Sequence, residues 1–117
     1  MKQNNSLVNI KRRDIPLESA VEKTFLTALK KSPYGLKVRK MNGIGYRSWP
    51  DRLVLGPKKF FIFIELKRPI LGKLSPGQID LFAEMEDLGH QVPVFTDGNK
   101  AAAFVLAELD IHLHTRK

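Results

Sequence analysis

The chain has 117 residues, the size of one ordinary domain, and with 43% apolar residues it can bury one core. It has no cysteine, which excludes a disulfide framework and a zinc–thiolate site, and no apolar run approaches the roughly 20 residues of a membrane span. The N-terminus also lacks the apolar region of a secretory signal. We therefore expect a single cytoplasmic domain over residues 1–117, with no membrane partner and with the polar residues 1–10 as a flexible leader.

Positive charge is concentrated in the middle of the chain. The net charge is +8, and residues 30–73 contain twelve lysines and arginines but only two acids, Asp51 and Glu65. A basic surface of this kind favours a polyanionic partner such as DNA. A solvated, lysine-rich face would explain the charge alone equally well.

The first predicted elements are a helix over residues 17–31 and a short strand over residues 34–41. Leu17, Val21, Phe25 and Leu29 recur every four residues and form one apolar helix face, and Pro33 ends the helix. Residues 42–50, with two glycines and a proline, are predicted to be a loop.

The next two strands are predicted to form a hairpin. Residues 52–55 make a short strand, residues 56–59 a tight turn and residues 60–67 a longer strand. The apolar run of residues 60–64 does not alternate, which favours a strand covered on both faces.

The remainder of the chain is predicted to form a helix, a strand and a helix. Ser75 suits the N-cap and Pro76 the first position of a helix that runs to about Leu88. A strand over 91–96, a turn at 97–98 and a helix over 100–109 follow. The inward-facing positions expected in the second helix are Ile79, Phe82, Ala83 and Met85. The order α-β-β-β-α-β-α describes an α/β domain with a mixed sheet flanked by helices.

The two isolated acids are predicted to meet at the open end of the hairpin. Asp51 and Glu65 are equally far from residue 58 in the turn, and directly opposed strand residues have Cα atoms about 4.5–5.5 Å apart. Carboxylates this close repel each other unless a cation or a proton lies between them. Lys67 points to the same face as Glu65, whereas Leu66 points away and leaves its backbone carbonyl near the acids.

These groups favour a hard divalent cation, Mg²⁺ or Mn²⁺, held by oxygen ligands next to a phosphodiester. Glu18 or Glu22 on the first helix could supply a third carboxylate. Lys67 could position or deprotonate the attacking water, or stabilise charge in the transition state.

Each residue also has a plainer explanation. Asp51 could hydrogen-bond its own backbone in a turn, and Glu18 and Glu22 could be solvated acids near a helix N-terminus. Gln78 stands three residues after Ser75 and could only complete a capping box. The tail residues His112 and His114 could hold a metal, although solvated termini are the ordinary case.

Three segments together resemble the VRR-NUC nucleases of the PD-(D/E)XK superfamily of metal-dependent nucleases. They are Trp-Pro-Asp-Arg-Leu-Val-Leu at 49–55, Phe-Ile-Glu-Leu-Lys at 63–67 and Leu-Ser-Pro-Gly-Gln at 74–78. The resemblance covers roughly residues 17–96 and implies a restriction-endonuclease-like core. Stand-alone members of this length are typical of phage and bacterial genomes and resemble the small, dimeric Holliday-junction resolvases.

The resemblance also implies a role for each matching residue. Asp51, Glu65 and the Leu66 carbonyl would bind the metal, with Glu18 as the helix-one ligand and Glu22 as the fallback. Lys67 would be the catalytic lysine, and Gln78 would face the site from the second helix.

We therefore expect an Mg²⁺- or Mn²⁺-dependent endodeoxyribonuclease that cuts branched DNA (Holliday junctions or flaps) without sequence preference, as a homodimer and with no small-molecule cofactor. The residues expected to contact DNA phosphates are Arg47, Arg52, Arg68, Lys73 and Lys40. The alternatives are a non-catalytic DNA-binding module that retains the nuclease fold, and a basic structural protein with no site.

Overall fold

The computed structural model describes residues 11–43 and 45–115, and the predicted leader, residues 1–10, lies outside them. A short 3-10 helix, Arg12–Asp14, precedes helix α1, Glu18–Lys30. The other elements are strands β1 (Lys37–Lys40), β2 (Arg52–Leu55) and β3 (Phe61–Leu66), helix α2 (Pro76–Asp87), strand β4 (Val94–Phe95) and helix α3 (Gly98–Thr115). The predicted element order and the α/β class are confirmed.

The four strands form one mixed sheet in the order β1-β2-β3-β4. The β1–β2 and β2–β3 pairs are antiparallel, and β3 pairs with β4 in parallel. The β2–β3 hairpin has the expected register, with Arg52 opposite Ile64. Lys58 and Lys59 close it with positive φ angles of 57° and 65°, the backbone conformation of the turns whose twist matches a hairpin.

Helices α1 and α3 pack against each other and cover one face of the sheet. The predicted apolar face of α1 is buried at Val21, Phe25 and Leu29, whereas Leu17 precedes the helix and is exposed. The two helices touch at Gly98, where a Cβ atom would lie 2.5 Å from the carbonyl oxygen of Val21 and 2.6 Å from the amide nitrogen of Phe25. This close approach fixes the position of α1, and hence of its acidic residues, above the sheet.

The opposite face of the sheet is covered in part by α2. A second apolar cluster there consists of Phe82, Met85 and Val92, with Trp49 and Phe63 packed against it. Phe61 at the start of β3 remains 47% exposed, so the expectation of cover on both faces holds only for the later part of the strand.

Two of the four inward positions expected in α2 are wrong. Phe82 and Met85 are buried, but Ile79 is exposed and so is Ala83. The helix touches the sheet along a narrow stripe, so the positions beside that stripe face solvent.

The last two elements differ from their predicted lengths. Strand β4 contains only Val94 and Phe95, because Pro93 before it has no N–H group for a sheet ladder. Helix α3 begins earlier than expected because the Asp97 carboxylate accepts hydrogen bonds from the backbone N–H groups of Asn99 and Lys100. Among the described residues, no helix combines the length and the apolar character that a membrane crossing requires.

Candidate active site

The candidate site lies at the open end of the β2–β3 hairpin. Asp51 immediately precedes β2 and Glu65 lies near the end of β3, and the backbone N–H of Asp51 donates to Glu65 Oε1 over 2.9 Å. Both residues are only 1% exposed. The two acidic residues therefore lie next to each other at this end of the hairpin, and the contact between them is made by the backbone of Asp51.

Helix α1 brings two more carboxylates to Asp51. Glu18 and Glu22 stand one turn apart, and one carboxylate oxygen of each lies within 4.8 Å of the other and of one from Asp51. Both alternatives for the helix-one acid thus reach the site. Neither carboxylate oxygen of Asp51 has a hydrogen-bond partner, so this side chain does not hydrogen-bond its own backbone in a turn.

Burial and neighbouring carboxylates raise the pKa values of Asp51 and Glu18. The pKa of Asp51 is raised to about 7, mainly by burial and next by the charge of Glu22, while the positive charge of Arg52 opposes the shift. Burial likewise raises the pKa of Glu18, against the opposing charge of Lys67. Buried carboxylates are unfavourable without a compensating cation or proton. An unpartnered buried carboxylate beside two others therefore fits a hard divalent cation, whose usual ligands are carboxylate oxygens.

Glu65 contacts both the predicted catalytic lysine and the glutamine of α2. Its Oε2 atom lies 3.1 Å from Lys67 Nζ and accepts a hydrogen bond of 3.1 Å from Gln78 Nε2. Gln78 Oε1 in turn accepts from Lys67 Nζ over 3.0 Å. The structure therefore groups Asp51 with Glu18 and Glu22, and uses Glu65 to hold the lysine and the glutamine.

Gln78 fulfils both roles that the sequence left open. Its backbone N–H donates to Ser75 Oγ, and its side-chain oxygen accepts from the Ser75 N–H, which completes the capping box of α2. The same side chain, buried at 3% exposure, reaches Lys67 and Glu65. The cap thus fixes the amide in the orientation that holds the lysine.

Arg52 occupies the interior rather than the predicted DNA-contacting surface. It is 8% exposed, and its guanidinium donates to Glu22 Oε1 over 3.1 Å. This ion pair joins α1 to β2 and was missed by sequence reasoning, because Glu22 and Arg52 are thirty residues apart. The sequence signal for this ion pair is an arginine directly after the isolated acid Asp51.

Arg68 also makes contacts that differ from those expected of a phosphate-binding residue. Its guanidinium donates to the backbone carbonyls of Arg12, Ile15 and Pro16, at 3.0 to 3.1 Å. Arg68 therefore ties the segment before α1 to the end of β3.

Comparison with known proteins decides the family. No family model matches the sequence. "Putative nuclease p44" of Acyrthosiphon pisum secondary endosymbiont phage 1 is 43% identical over 65 residues. The match covers 50% of this chain and 69% of that protein. A solved "VRR_NUC domain" shares the fold, with a TM-score of 0.59 and 23% identity over 86% of this chain and 97% of that domain. The chain belongs to the VRR-NUC family of nucleases.

The proline of the VRR-NUC Pro-Asp motif has a structural consequence in this chain. The Gly56 N–H donates to the Phe60 carbonyl, and antiparallel strands repeat such bonded pairs every second residue. Continuing the observed register places Pro50 opposite Leu66 at a bonded position. Because proline has no N–H, the ladder offers no donor from this position to the Leu66 carbonyl.

The remaining predicted DNA contacts of the VRR-NUC domain lie on the surface. Lys40 on β1, Arg47 in the loop before the Pro-Asp motif and Lys73 before α2 are all exposed. The positive charge of Lys40 opposes the burial that raises the pKa of Glu18, so this lysine lies within electrostatic reach of the acids.

The two tail histidines make other contacts. His112 Nε2 lies 2.6 Å from the carbonyl oxygen of Lys58, and His114 Nδ1 lies 3.1 Å from Asp110 Oδ1. Within the described part of the chain, Glu18, Glu22 and Asp51 form the cluster of potential metal ligands, and it contains neither histidine.

Proposed function

We propose that this VRR-NUC chain is an Mg²⁺- or Mn²⁺-dependent endodeoxyribonuclease that hydrolyses phosphodiester bonds in branched DNA, such as Holliday junctions or flaps, without reading sequence. The observation that carries the proposal is the Asp51 carboxylate, which is buried, has no hydrogen-bond partner and lies within 4.8 Å of Glu18 and Glu22. Such a group is costly in a folded protein unless a cation or a proton compensates it.

The metal would be held by Asp51, Glu18, Glu22 and the Leu66 carbonyl, with Glu65 as a further candidate ligand. Glu65 can also bind the metal, because an ionised carboxylate oxygen can accept a hydrogen bond and contact a metal at the same time. When bound, a divalent cation polarises a phosphoryl oxygen and acidifies a coordinated water.

Lys67 is the residue that we propose acts directly on the substrate. Its ammonium has three N–H donors, and two of them are directed to Glu65 Oε2 and Gln78 Oε1, at 3.1 and 3.0 Å. The third donor is left for the substrate, where it would position the attacking water or stabilise the charge that develops on the phosphate. Because Glu65 and Gln78 hold the ammonium in place, no reorganisation is required when that charge appears.

The exposed bases support DNA as the substrate. Lys40, Arg47 and Lys73 are exposed and would contact phosphates, which supply affinity and position but carry no sequence information. Selection among substrates then depends on DNA shape. We propose a homodimer because resolving a junction requires two symmetric cuts, as in the small resolvases that the family resembles.

A panel of labelled DNAs tests the proposal. We expect the purified chain with Mg²⁺ or Mn²⁺ to cut a four-way junction or a flap, and to cut a linear duplex and a single strand of matched sequence more slowly. Chelation of the metal with EDTA should abolish cutting. Salt-sensitive binding of all four DNAs with no metal-dependent cleavage would instead support the non-catalytic binding module.

A pair of variants separates the two roles of Gln78. We expect Ser75→Ala to lower the free energy of unfolding by about 0.5–2 kcal/mol through loss of the helix cap. It should preserve most of the cleavage rate, because the Gln78 amide still reaches Lys67 and Glu65. Gln78→Ala should lower stability and also slow cleavage by at least tenfold. Urea denaturation and single-turnover cleavage measure the two quantities, and an equal loss of rate in both variants would assign Gln78 to capping alone.

A further inference from the structure

One cavity is lined by residues that are close in sequence to Asp51 and Gln78. It has a volume of about 620 Å³ and lies between the loop that precedes the Pro-Asp motif and the first turns of α2. Trp49 and Gly77 line it, and these residues are close in sequence to Asp51 and Gln78 respectively. The two walls touch, since a Cβ atom on Gly77 would lie 2.4 Å from Ser48 Oγ. The cavity is therefore formed by the loop that leads into Asp51 and by the helix that carries Gln78.

Tyr46 separates this cavity from a basic one. Its side chain lines both the 620 Å³ cavity and a neighbouring cavity of about 380 Å³, which Arg39 and Lys40 also line. Tyr46 is 58% exposed. The positive charges of Arg39 and Lys40 favour a phosphate backbone in the basic cavity, and a strand that ran from there into the larger cavity would pass Tyr46.

The lining of the larger cavity is acidic on balance, because the carboxylates of Asp80 and Glu84 outnumber the single guanidinium of Arg47. The two carboxylates, one turn apart on α2, disfavour a phosphodiester inside the cavity. Tyr46 and Trp49 supply aromatic rings, which stack on bases of any sequence. Carboxylates accept hydrogen bonds from exocyclic amino groups such as N4 of cytosine. The lining thus matches the chemistry of a nucleobase rather than that of the sugar–phosphate backbone.

We propose that this cavity binds an unpaired nucleobase next to the phosphate to be cut, with Tyr46 as the stacking platform and Asp80 or Glu84 as acceptors for an amino group. The proposal rests on the proposed DNA-cleaving function and names its substrate class. DNA that displays an unpaired base at the branch, such as a flap, would be preferred. A preference for cytosine over thymine would be confined to that one unpaired position, and the paired arms would still be bound without sequence readout.

The test uses flap DNA with 2-aminopurine, a fluorescent base that carries an amino group, at the first unpaired position. Binding is measured with Ca²⁺ in place of the catalytic metal, on the full chain and on Tyr46→Ala. Tyr34→Ala is the matched control, because it removes the other tyrosine of the chain, which lies outside both cavities. We expect the wild type and Tyr34→Ala to quench the 2-aminopurine. Tyr46→Ala should lose the quenching and lower the ratio of flap to duplex affinity by about 5- to 100-fold.

A second arm tests the acceptors. Cytosine at the unpaired position should bind about fivefold or more tightly than thymine, and Asp80→Asn with Glu84→Gln should remove that preference. The nucleobase cavity alone would be overturned if the wild type left the 2-aminopurine unquenched, or if Tyr46→Ala kept the quenching and the flap-to-duplex ratio of the wild type, provided that the wild type cuts DNA with metal. Absence of metal-dependent cleavage in the wild type would overturn the proposed function, and the cavity assignment with it.

Discussion

Replacing Lys67 with alanine is expected to slow DNA cleavage by about 10²- to 10³-fold or more while DNA binding is retained. The lysine ammonium is fixed by two acceptors, Glu65 and Gln78, at 3.1 and 3.0 Å, and its remaining donor is free for the reacting phosphate. A charge placed in advance at the position where negative charge develops lowers the barrier of the chemical step more than it strengthens substrate binding. Affinity should survive because the exposed basic residues Lys40, Arg47 and Lys73 remain.

The measurement is single-turnover cleavage of a labelled four-way junction with Mn²⁺, together with fluorescence anisotropy for binding. Lys100→Ala is the matched control, since Lys100 is exposed in the first turn of α3 and lies outside the basic stretch of residues 30–73. Removing Lys67 leaves the buried Glu65 carboxylate with one partner fewer, so thermal melting must show that the variant is folded. Lys67→Arg, which keeps the charge but changes the donor geometry, should recover folding more fully than cleavage.

Cleavage by Lys67→Ala at the wild-type rate would remove this residue from the mechanism. A loss of binding as large as the loss of rate would instead make it one more phosphate contact. Only the separation of rate from affinity supports the proposed role.

The local signals in the sequence were sufficient for most of the fold. The four-residue apolar spacing predicted α1, and the placement of Asp51 and Glu65 around residue 58 predicted the hairpin register that the structure has. Ser75 and Pro76 predicted the start of α2 because capping depends on neighbouring residues alone. Each of these features is determined within one element or one hairpin.

The partners of the site residues depend on contacts between elements and were harder to predict. Glu22 meets Arg52 only because α1 lies across the sheet, a position fixed by its contact with α3 at Gly98. Net charge indicated that Arg52 and Arg68 would face DNA, yet one is buried against Glu22 and the other binds backbone carbonyls. A count of charges gives the composition of a surface but does not say which side chains find internal partners.

Replacing Asp51 with asparagine is expected to abolish metal binding and cleavage and, at the same time, to stabilise the metal-free protein above pH 7. The pKa of Asp51 is raised from 3.8 to about 7, first by burial and then by the charge of Glu22. Between these two values the folded state binds more protons than the unfolded chain, so the free energy of unfolding falls as pH rises from about 4 to about 7. Asparagine cannot ionise, and it should restore up to about 4 kcal/mol of that loss at pH 8.

Urea denaturation in EDTA at pH 5 and pH 8 measures the stability change, and calorimetry with Mn²⁺ measures binding. Asp87→Asn at the end of α2 is the matched control, because this aspartate is exposed and its replacement should change stability by no more than about 0.5 kcal/mol. Mn²⁺ should raise the melting temperature of the wild type and of Asp87→Asn but not that of Asp51→Asn, because a ligand of the folded state stabilises only a chain that binds it. If Asp51→Asn is less stable than the wild type at pH 8 and keeps the Mn²⁺-induced shift, the Asp51 carboxylate is a structural group. If Asp51→Asn is more stable than the wild type and no longer binds Mn²⁺, the buried Asp51 carboxylate serves to bind a cation.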